Sequence, residues 1–208
     1  MIGIYGGTFD PVHFGHLRPI LELTQDLGLQ QVRWIPCGQP AHRPTASASG
    51  EQRLQMLELA LQGFDNFTID RRELERDGPS YMVDTLLSLQ KDFADQTLVL
   101  ILGADAFTGL PGWHRWSEIL DLAHILVCQR PQVEWPQSGQ LKDLIDAHCV
   151  DDFSRLQSQQ AGLVYIHPVT QLEISASAIR AGCRDGKRID FLTPPAVIDY
   201  VLANGLYQ

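Results

Sequence analysis

Apolar and polar positions along the chain alternate between two periods. Short apolar runs from Ile2 to Tyr5, Gln31 to Pro36, Phe67 to Asp70, Leu98 to Leu102, His124 to Cys128 and Leu163 to Ile166 read as strands. The third run has room to continue to Leu74. Between them, apolar residues recur every three or four positions. This spacing predicts helices over 14–27, closed by Gly28, over 51–62, over about 80–91 and over 116–122. Leu54, Leu57 and Leu61 form the apolar face of the second, and Ser49 with Gln52 fits a capping box at its start. Pro19 is expected in or near the first turn of the first helix, where a missing amide proton is tolerated.

Small and polar residues from Cys37 to Gly50 predict a loop, and Asp77-Gly78-Pro79 a turn. The polar stretch from Pro131 to Gly162 is less legible, with a helix over 142–147. Two short helices over 177–181 and 195–203 close the pattern, the last stopped by Asn204-Gly205. The run from Leu98 to Leu102 is apolar throughout, as a strand buried on both faces requires. Strands separated by crossover helices imply an α/β fold, a Rossmann-like doubly wound, mostly parallel sheet. The 208 residues are expected to form a single domain, with a small C-terminal helical part from about residue 170 to 208.

Composition narrows the function classes. An apolar content of 44% with 20% charged residues fits a globular chain able to bury a core without staples. Cys37, Cys128, Cys149 and Cys183 form no C-x-x-C pair, which favours free thiols in a reducing cytoplasm. Neither a signal peptide nor an apolar run of spanning length is visible, so no membrane partner is expected. A net charge of −9 argues against a nucleic-acid partner. A polyanion would have to meet local positive groups, for which His13, His16, His42, Arg43, Arg180, Arg184, Lys187 and Arg188 are the candidates.

The chemistry concentrates after the first strand, in Gly6-Gly7-Thr8-Phe9-Asp10-Pro11-Val12-His13-Phe14-Gly15-His16. Gly6 and Gly7 permit close approach of backbone to a ligand. A helix start beyond them presents amide donors and a positive dipole end, which suits phosphate. His13 and His16, three apart, share a helix face. Paired histidines also suit zinc, but no third or fourth ligand stands at a fitting spacing, and no metal ligand is assigned. The dinucleotide pattern G-x-G-x-x-G is absent, which makes a dehydrogenase a poor reading.

Gly103-Ala104-Asp105 follows the fourth strand, and both motifs are expected at the crevice beyond the carboxyl ends of the strands. Asp105 there is either a ribose acceptor or a helix N-cap, and the two roles are compatible. Ser177 is read as the cap of a helix carrying Arg180 one turn on, a second polyphosphate site. Trp113 and Trp116, flanking His114 and Arg115 after a Pro-Gly turn, are either core or a stacking platform for a flat heterocycle.

The first motif is similar to the nucleotidyltransferase signature G-G-T-F-D-P-x-H-x-G-H, and Ile174 to Arg180 to the superfamily's I-S-S-T-x-I-R, with Ala176 and Ser177 replacing its serine and threonine. With Pro36, His42-Arg43, Arg53-x-x-Met56, Gly78-Pro79-Ser80-Tyr81, Trp113-x-x-Trp116, Arg130-Pro131 and Asn204-Gly205-Leu206-Tyr207 in order, the whole chain resembles the bacterial nicotinate-nucleotide adenylyltransferases.

The resemblance implies transfer of the adenylyl group of ATP to nicotinate mononucleotide, giving deamido-NAD and pyrophosphate, with Mg2+ held mainly by the ATP phosphates. It implies catalytic roles for His13, His16 and Arg180. ATP would contact Gly6, Gly7, Thr8, Phe9, His16, Gly103, Asp105, Ser177 and Arg180. The mononucleotide would contact His42, Arg43, Tyr81, Met82, Trp113 and His114. Arg43 stands where the family usually has lysine, and Met82 where it often has threonine. An arginine changes the geometry of a phosphate contact. Without a hydroxyl at 82, the pyridine carboxylate is expected to meet main-chain amides near residues 81–83 and 114. Other acceptors, nicotinamide mononucleotide or phosphopantetheine, and a non-catalytic dinucleotide sensor are the alternatives; both histidines and Arg180 favour the enzyme. Monomer and homodimer stay open.

Overall fold

The computed structural model describes residues 1–40, 46–129, 135–170 and 172–208. The chain order is β1 (Ile2–Gly7), α1 (Phe14–Leu27), β2 (Gln31–Pro36), β3 (Gln39–Pro40), α2 (Gly50–Ala60), β4 (Phe67–Ile69), α3 (Arg72–Glu75) and β5 (Pro79–Ser80). It continues with α4 (Met82–Asp92), β6 (Leu98–Gly103), α5 (Ala104–Thr108), α6 (Ile119–Leu122), β7 (His124–Gln129), α7 (Gln140–His148), β8 (Cys149–Val150), β9 (Val164–Pro168), α8 (Ala176–Arg184) and α9 (Pro195–Ala203).

Seven strands form one sheet in the order β4-β2-β1-β6-β7-β9-β8, and β3 with β5 a second of two strands. β1 pairs with β6 in parallel, Ile2 to Leu98 through Ile4 to Leu100. β6 with β7, β7 with β9 and β8 with β9 are also parallel. Strand order reverses beside β1, which has β2 on one side and β6 on the other. This is the doubly wound α/β arrangement expected from the alternating pattern. No helix among the described residues is long and apolar enough to cross a membrane.

The chain divides into two compact units, each assembled from separate stretches. One comprises residues 1–5, 22–33 and 81–170; the other comprises 6–21, 34–80 and 171–208. In the first, β6 and β7 form the core, with Leu98 to Leu102 and His124 to Cys128 all buried. His124 has no solvent exposure, and both ring nitrogens are engaged. Its Nδ1 accepts from the Leu163 amide at 3.0 Å, so Nε2 carries the proton towards the Gln159 carbonyl at 3.0 Å. In the second, Trp34, Leu54, Met56, Leu57, Val197 and Val201 are buried.

Local chemistry explains where elements depart from the sequence reading. β1 continues through Gly6 and Gly7, so the reversal falls on Phe9, whose φ is +50°. Gly7 is required because the Phe9 ring folds back; a Cβ there would lie 2.8 Å from it. Pro19 is the sixth residue of α1, beyond its first turn. The stretch after Ile69 does not continue the strand but turns into α3, because the Asp70 carboxylate accepts from the Arg72 amide and guanidinium. α4 starts at Met82, not Ser80, because Pro79 and Ser80 pair with Gln39 and Pro40. The expected capping box is present: Ser49 Oγ accepts from the Gln52 amide and Gln52 Oε1 from the Ser49 amide. α8 begins at Ala176 and is capped by Ser175, whose Oγ accepts from the Ala178 amide. Ser177 is therefore inside the first turn and is not the cap.

Candidate active site

The two histidines stand at the start of α1 in capping geometry. The His13 carbonyl accepts from the His16 amide at 2.8 Å and the Leu17 amide at 3.1 Å, which makes His13 the N-cap and His16 the third helical residue. The His13 amide in turn donates to His16 Nδ1 at 3.3 Å. This is one arm of a capping box, with the imidazole of the third helical residue in place of glutamate; the bond in the other direction is made by the His13 carbonyl and not by its side chain. An Nδ1 that accepts leaves the proton of neutral His16 on Nε2.

The His13 and His16 rings stack at 3.7 Å, 29° apart, and Phe9 meets His16 edge-on at 5.3 Å. A Cβ at residue 15 would lie 2.9 Å from His13 Nδ1 and 3.1 Å from the Ile174 carbonyl, so only glycine lets the stack and the entry to α8 close up. Burial holds the His13 pKa at about 4, against an ordinary 6.5. The imidazole is therefore neutral at pH 7.

Buried polar struts fix the turn before α1. Asp10 is 4% exposed and its carboxylate accepts from the Ser47 amide at 2.7 Å, the Ala48 amide at 3.1 Å and the Tyr207 hydroxyl at 2.7 Å. Arg53, 2% exposed, donates from Nη1 to the Thr8 carbonyl at 2.8 Å and from Nη2 to the Gly38 carbonyl at 3.3 Å. Gly38 admits no side chain: a Cβ there would lie 2.0 Å from the Glu73 carbonyl oxygen. Arg180 donates from Nη1 to the Asp10 carbonyl at 2.7 Å, and the same nitrogen is 3.8 Å from the Asp10 carboxylate. Ser175 Oγ and Ser177 Oγ are 3.1 Å apart beside it. The structure thus brings Gly6, Gly7, Thr8, Phe9, His13, His16, Ser177 and Arg180 into one unit.

Gly103, Asp105, Tyr81, Met82, Trp113 and His114 belong to the other unit. Gly103 is the N-cap residue of α5, and Asp105 is an exposed residue of its first turn, not the cap. Tyr81 precedes α4 and its ring lies on His114, centroids 4.2 Å apart at 30°. The Asp84 and Thr85 amides bond the Tyr81 carbonyl, so Met82 and Val83 supply the first two amides of α4, which have no partner within a helix. Trp113 and Trp116 are both half-buried. Arg115, in left-handed backbone at φ +51°, is bonded to Glu118 at 2.6 and 2.8 Å and to Asp84 at 3.3 Å. His42 and Arg43, with Arg130 and Pro131, lie outside the described residues.

Asp10, Arg53 and Tyr207 enter the sequence reading only as members of recurring patterns. Their struts join residues 45 and 197 positions apart, which no local pattern reveals. A buried arginine is the one available signal.

Among the described residues no three His, Cys, Asp or Glu side chains gather as metal ligands.

Residues 4–182 match the family model described as cytidylyltransferase-like. The chain belongs to that family. A protein of Methylococcus capsulatus named "Probable nicotinate-nucleotide adenylyltransferase" is 49% identical over all of this chain and 99% of its own length. One of the same name from Pseudomonas putida is 45% identical, covering all of this chain and 94% of the relative. In fold the chain is similar to Plasmodium falciparum nicotinic acid mononucleotide adenylyltransferase complexed with NaAD, with a TM-score of 0.74 at 17% identity over 99% of this chain and 96% of that one. The same enzyme complexed with APC gives 0.72.

Proposed function

We propose that this protein transfers the adenylyl group of ATP to nicotinate mononucleotide, releasing pyrophosphate and forming nicotinate adenine dinucleotide for NAD biosynthesis in the cytoplasm. The observation that carries the reading is end-to-end similarity to nicotinate-nucleotide adenylyltransferases in a chain that keeps His13, His16 and Arg180 together.

An oxygen of the mononucleotide phosphate attacks the α-phosphorus of ATP in line. The bond from that phosphorus to the α,β-bridging oxygen breaks, and pyrophosphate leaves with the electron pair. A phosphomonoester has a second pKa of about 6, so the nucleophile is already ionised and no general base is needed. Catalysis then consists of positioning and charge stabilisation. His16 donates from Nε2–H to a phosphate oxygen. Neutral His13 stacks behind it and holds its tautomer through the main chain. Arg180 and Ser177, in the part from about residue 170 to 208 that completes a single nucleotidyltransferase domain, hold the β- and γ-phosphates. Gly6, Gly7, Thr8 and Phe9 bring main chain to the same phosphates, and Gly103 and Asp105 serve the adenosine. Mg2+ would enter with ATP as part of that substrate, and the chemistry it would supply is an offset of the phosphate charge.

Acceptor choice falls to the other group of residues. Trp113 stacks on the pyridine ring beside the Tyr81–His114 pair, and amides at Met82, Val83 and His114 meet the carboxylate. His42 and Arg43 supply positive charge for the acceptor phosphate. Main-chain donors accept no hydrogen bond, so an amide NH2 facing them leaves two groups unpaired. At roughly 1–3 kcal/mol each, this gives about a hundredfold preference for the acid. Steady-state kinetics with the two mononucleotides tests it. Equal kcat/KM refutes the acceptor and leaves adenylyl transfer standing; no pyrophosphate release with either refutes both.

A further inference from the structure

One buried carboxylate gathers four segments of the chain. Asp10 lies in the turn after β1. Ser47 and Ala48, ahead of α2, give it two amides, Tyr207 beyond α9 gives it a hydroxyl, and Arg180 of α8 grips its carbonyl. The donors divide unevenly between the oxygens. Oδ1 accepts from Ala48 and Tyr207, and Oδ2 accepts from Ser47 with Arg180 Nη1 3.8 Å away. The guanidinium is thus in loose ion-pair contact with Oδ2 but makes its one short hydrogen bond to main chain. Among the described residues no hydrogen bond is made by Arg180 Nε or Nη2. Arg53, the other cation close to Tyr207, is committed to the Thr8 and Gly38 carbonyls.

Tyr207 reaches this place at a backbone cost. Its φ is +65°, a conformation disfavoured for any residue with a Cβ and retained only where surroundings enforce it. Its hydroxyl also touches Met56 Sδ at 3.9 Å. Burial, then the Asp10 carboxylate, push the phenol pKa upward, so the group stays a donor at every working pH.

We propose that Tyr207 is a positioning residue for ATP: by supplying a donor to Asp10 it keeps the Arg180–carboxylate contact a loose ion pair, without a hydrogen bond, and leaves Nε and Nη2 of Arg180 to meet the triphosphate. This rests on the assignment of Arg180 to the phosphates made above. Without the hydroxyl, Oδ1 loses one of its two donors while the carboxylate keeps its charge. The nearest cation able to compensate is Arg180, and each donor it turns to Asp10 is withdrawn from phosphate.

The test is Tyr207→Phe in the full chain, with KM and kcat for both substrates, ATP affinity by calorimetry and amide exchange at Ser47 and Ala48. The expected result is an ATP KM raised about tenfold, the factor for one redistributed charge-assisted hydrogen bond. The mononucleotide KM stays within about twofold, and exchange at both amides quickens. Tyr207→Phe should add nothing in an Asp10→Asn background, since the charge that draws Arg180 is gone. If Asp10→Asn does not fold, the KM split alone decides. Both KM values rising together, with a lower melting temperature, overturns the proposal, as does an unchanged ATP KM with faster exchange. A parent without turnover on ATP and nicotinate mononucleotide refutes the functional assignment; the calorimetric ATP affinity of the two proteins then still decides Tyr207.

Discussion

Acid should destabilise this protein through His13. The residue is 5% exposed, its Nδ1 has no hydrogen-bond partner among the described residues, and a second imidazole covers it at 3.7 Å. Burial holds its pKa at about 4, whereas the unfolded chain regains the ordinary 6.5. Above pH 6.5 both states are neutral and the residue contributes no pH dependence. As pH falls from 6.5 to about 4, the unfolded chain takes up a proton that the folded chain refuses, and stability declines. Each pH unit of that window is worth about 1.4 kcal/mol, so the loss totals about 3 kcal/mol, a large share of an ordinary folding free energy.

His124 is lowered in the same direction by burial, and the parent's pH dependence alone would not separate the two. The decisive measurement is the urea midpoint as a function of pH in the parent and in His13→Asn, which keeps a good N-cap at this position. The two stabilities should diverge as the pH falls below 6.5 and differ by a further 3 kcal/mol or so near pH 4. Parallel curves would refute the assignment of acid lability to this ring.

Three further outcomes follow from the geometry. His16→Ala should lower turnover about 100- to 1000-fold in a folded protein, because it removes the donor proposed for the reacting phosphate; turnover within threefold of the parent counts against that role. Gly38→Ala should cost about 3 kcal/mol or more in urea unfolding, since the new Cβ meets the Glu73 carbonyl oxygen at 2.0 Å and displaces the acceptor of Arg53. An unchanged midpoint would show that this backbone moves freely. Arg180→Ala should weaken ATP and pyrophosphate more than the acceptor; loss of acceptor affinity alone would mean that the two sets of site residues are exchanged.

The sequence by itself determined the elements and their class. Periodicity, caps and turn residues act between neighbours a few positions apart, so α1, β2 and α9 fall where the pattern predicts, and Ser49 and Gln52 cap α2 as expected. The glycine and histidine motif was legible for the same reason, since His13 and His16, three positions apart, were expected on one helix face and their rings stack there. Tertiary contact decided the rest. Ser177 was read as the cap of α8, but the helix begins at Ala176 and Ser175 caps it. Ser80 had helical neighbours, yet pairing with Gln39–Pro40 held it extended. Arg53, Asp10 and Tyr207 stood in recurring patterns, but nothing in the linear chain showed their partners. Their roles arise because groups 15 to 197 residues apart are buried together, and a buried polar group must find its partner wherever the fold supplies one.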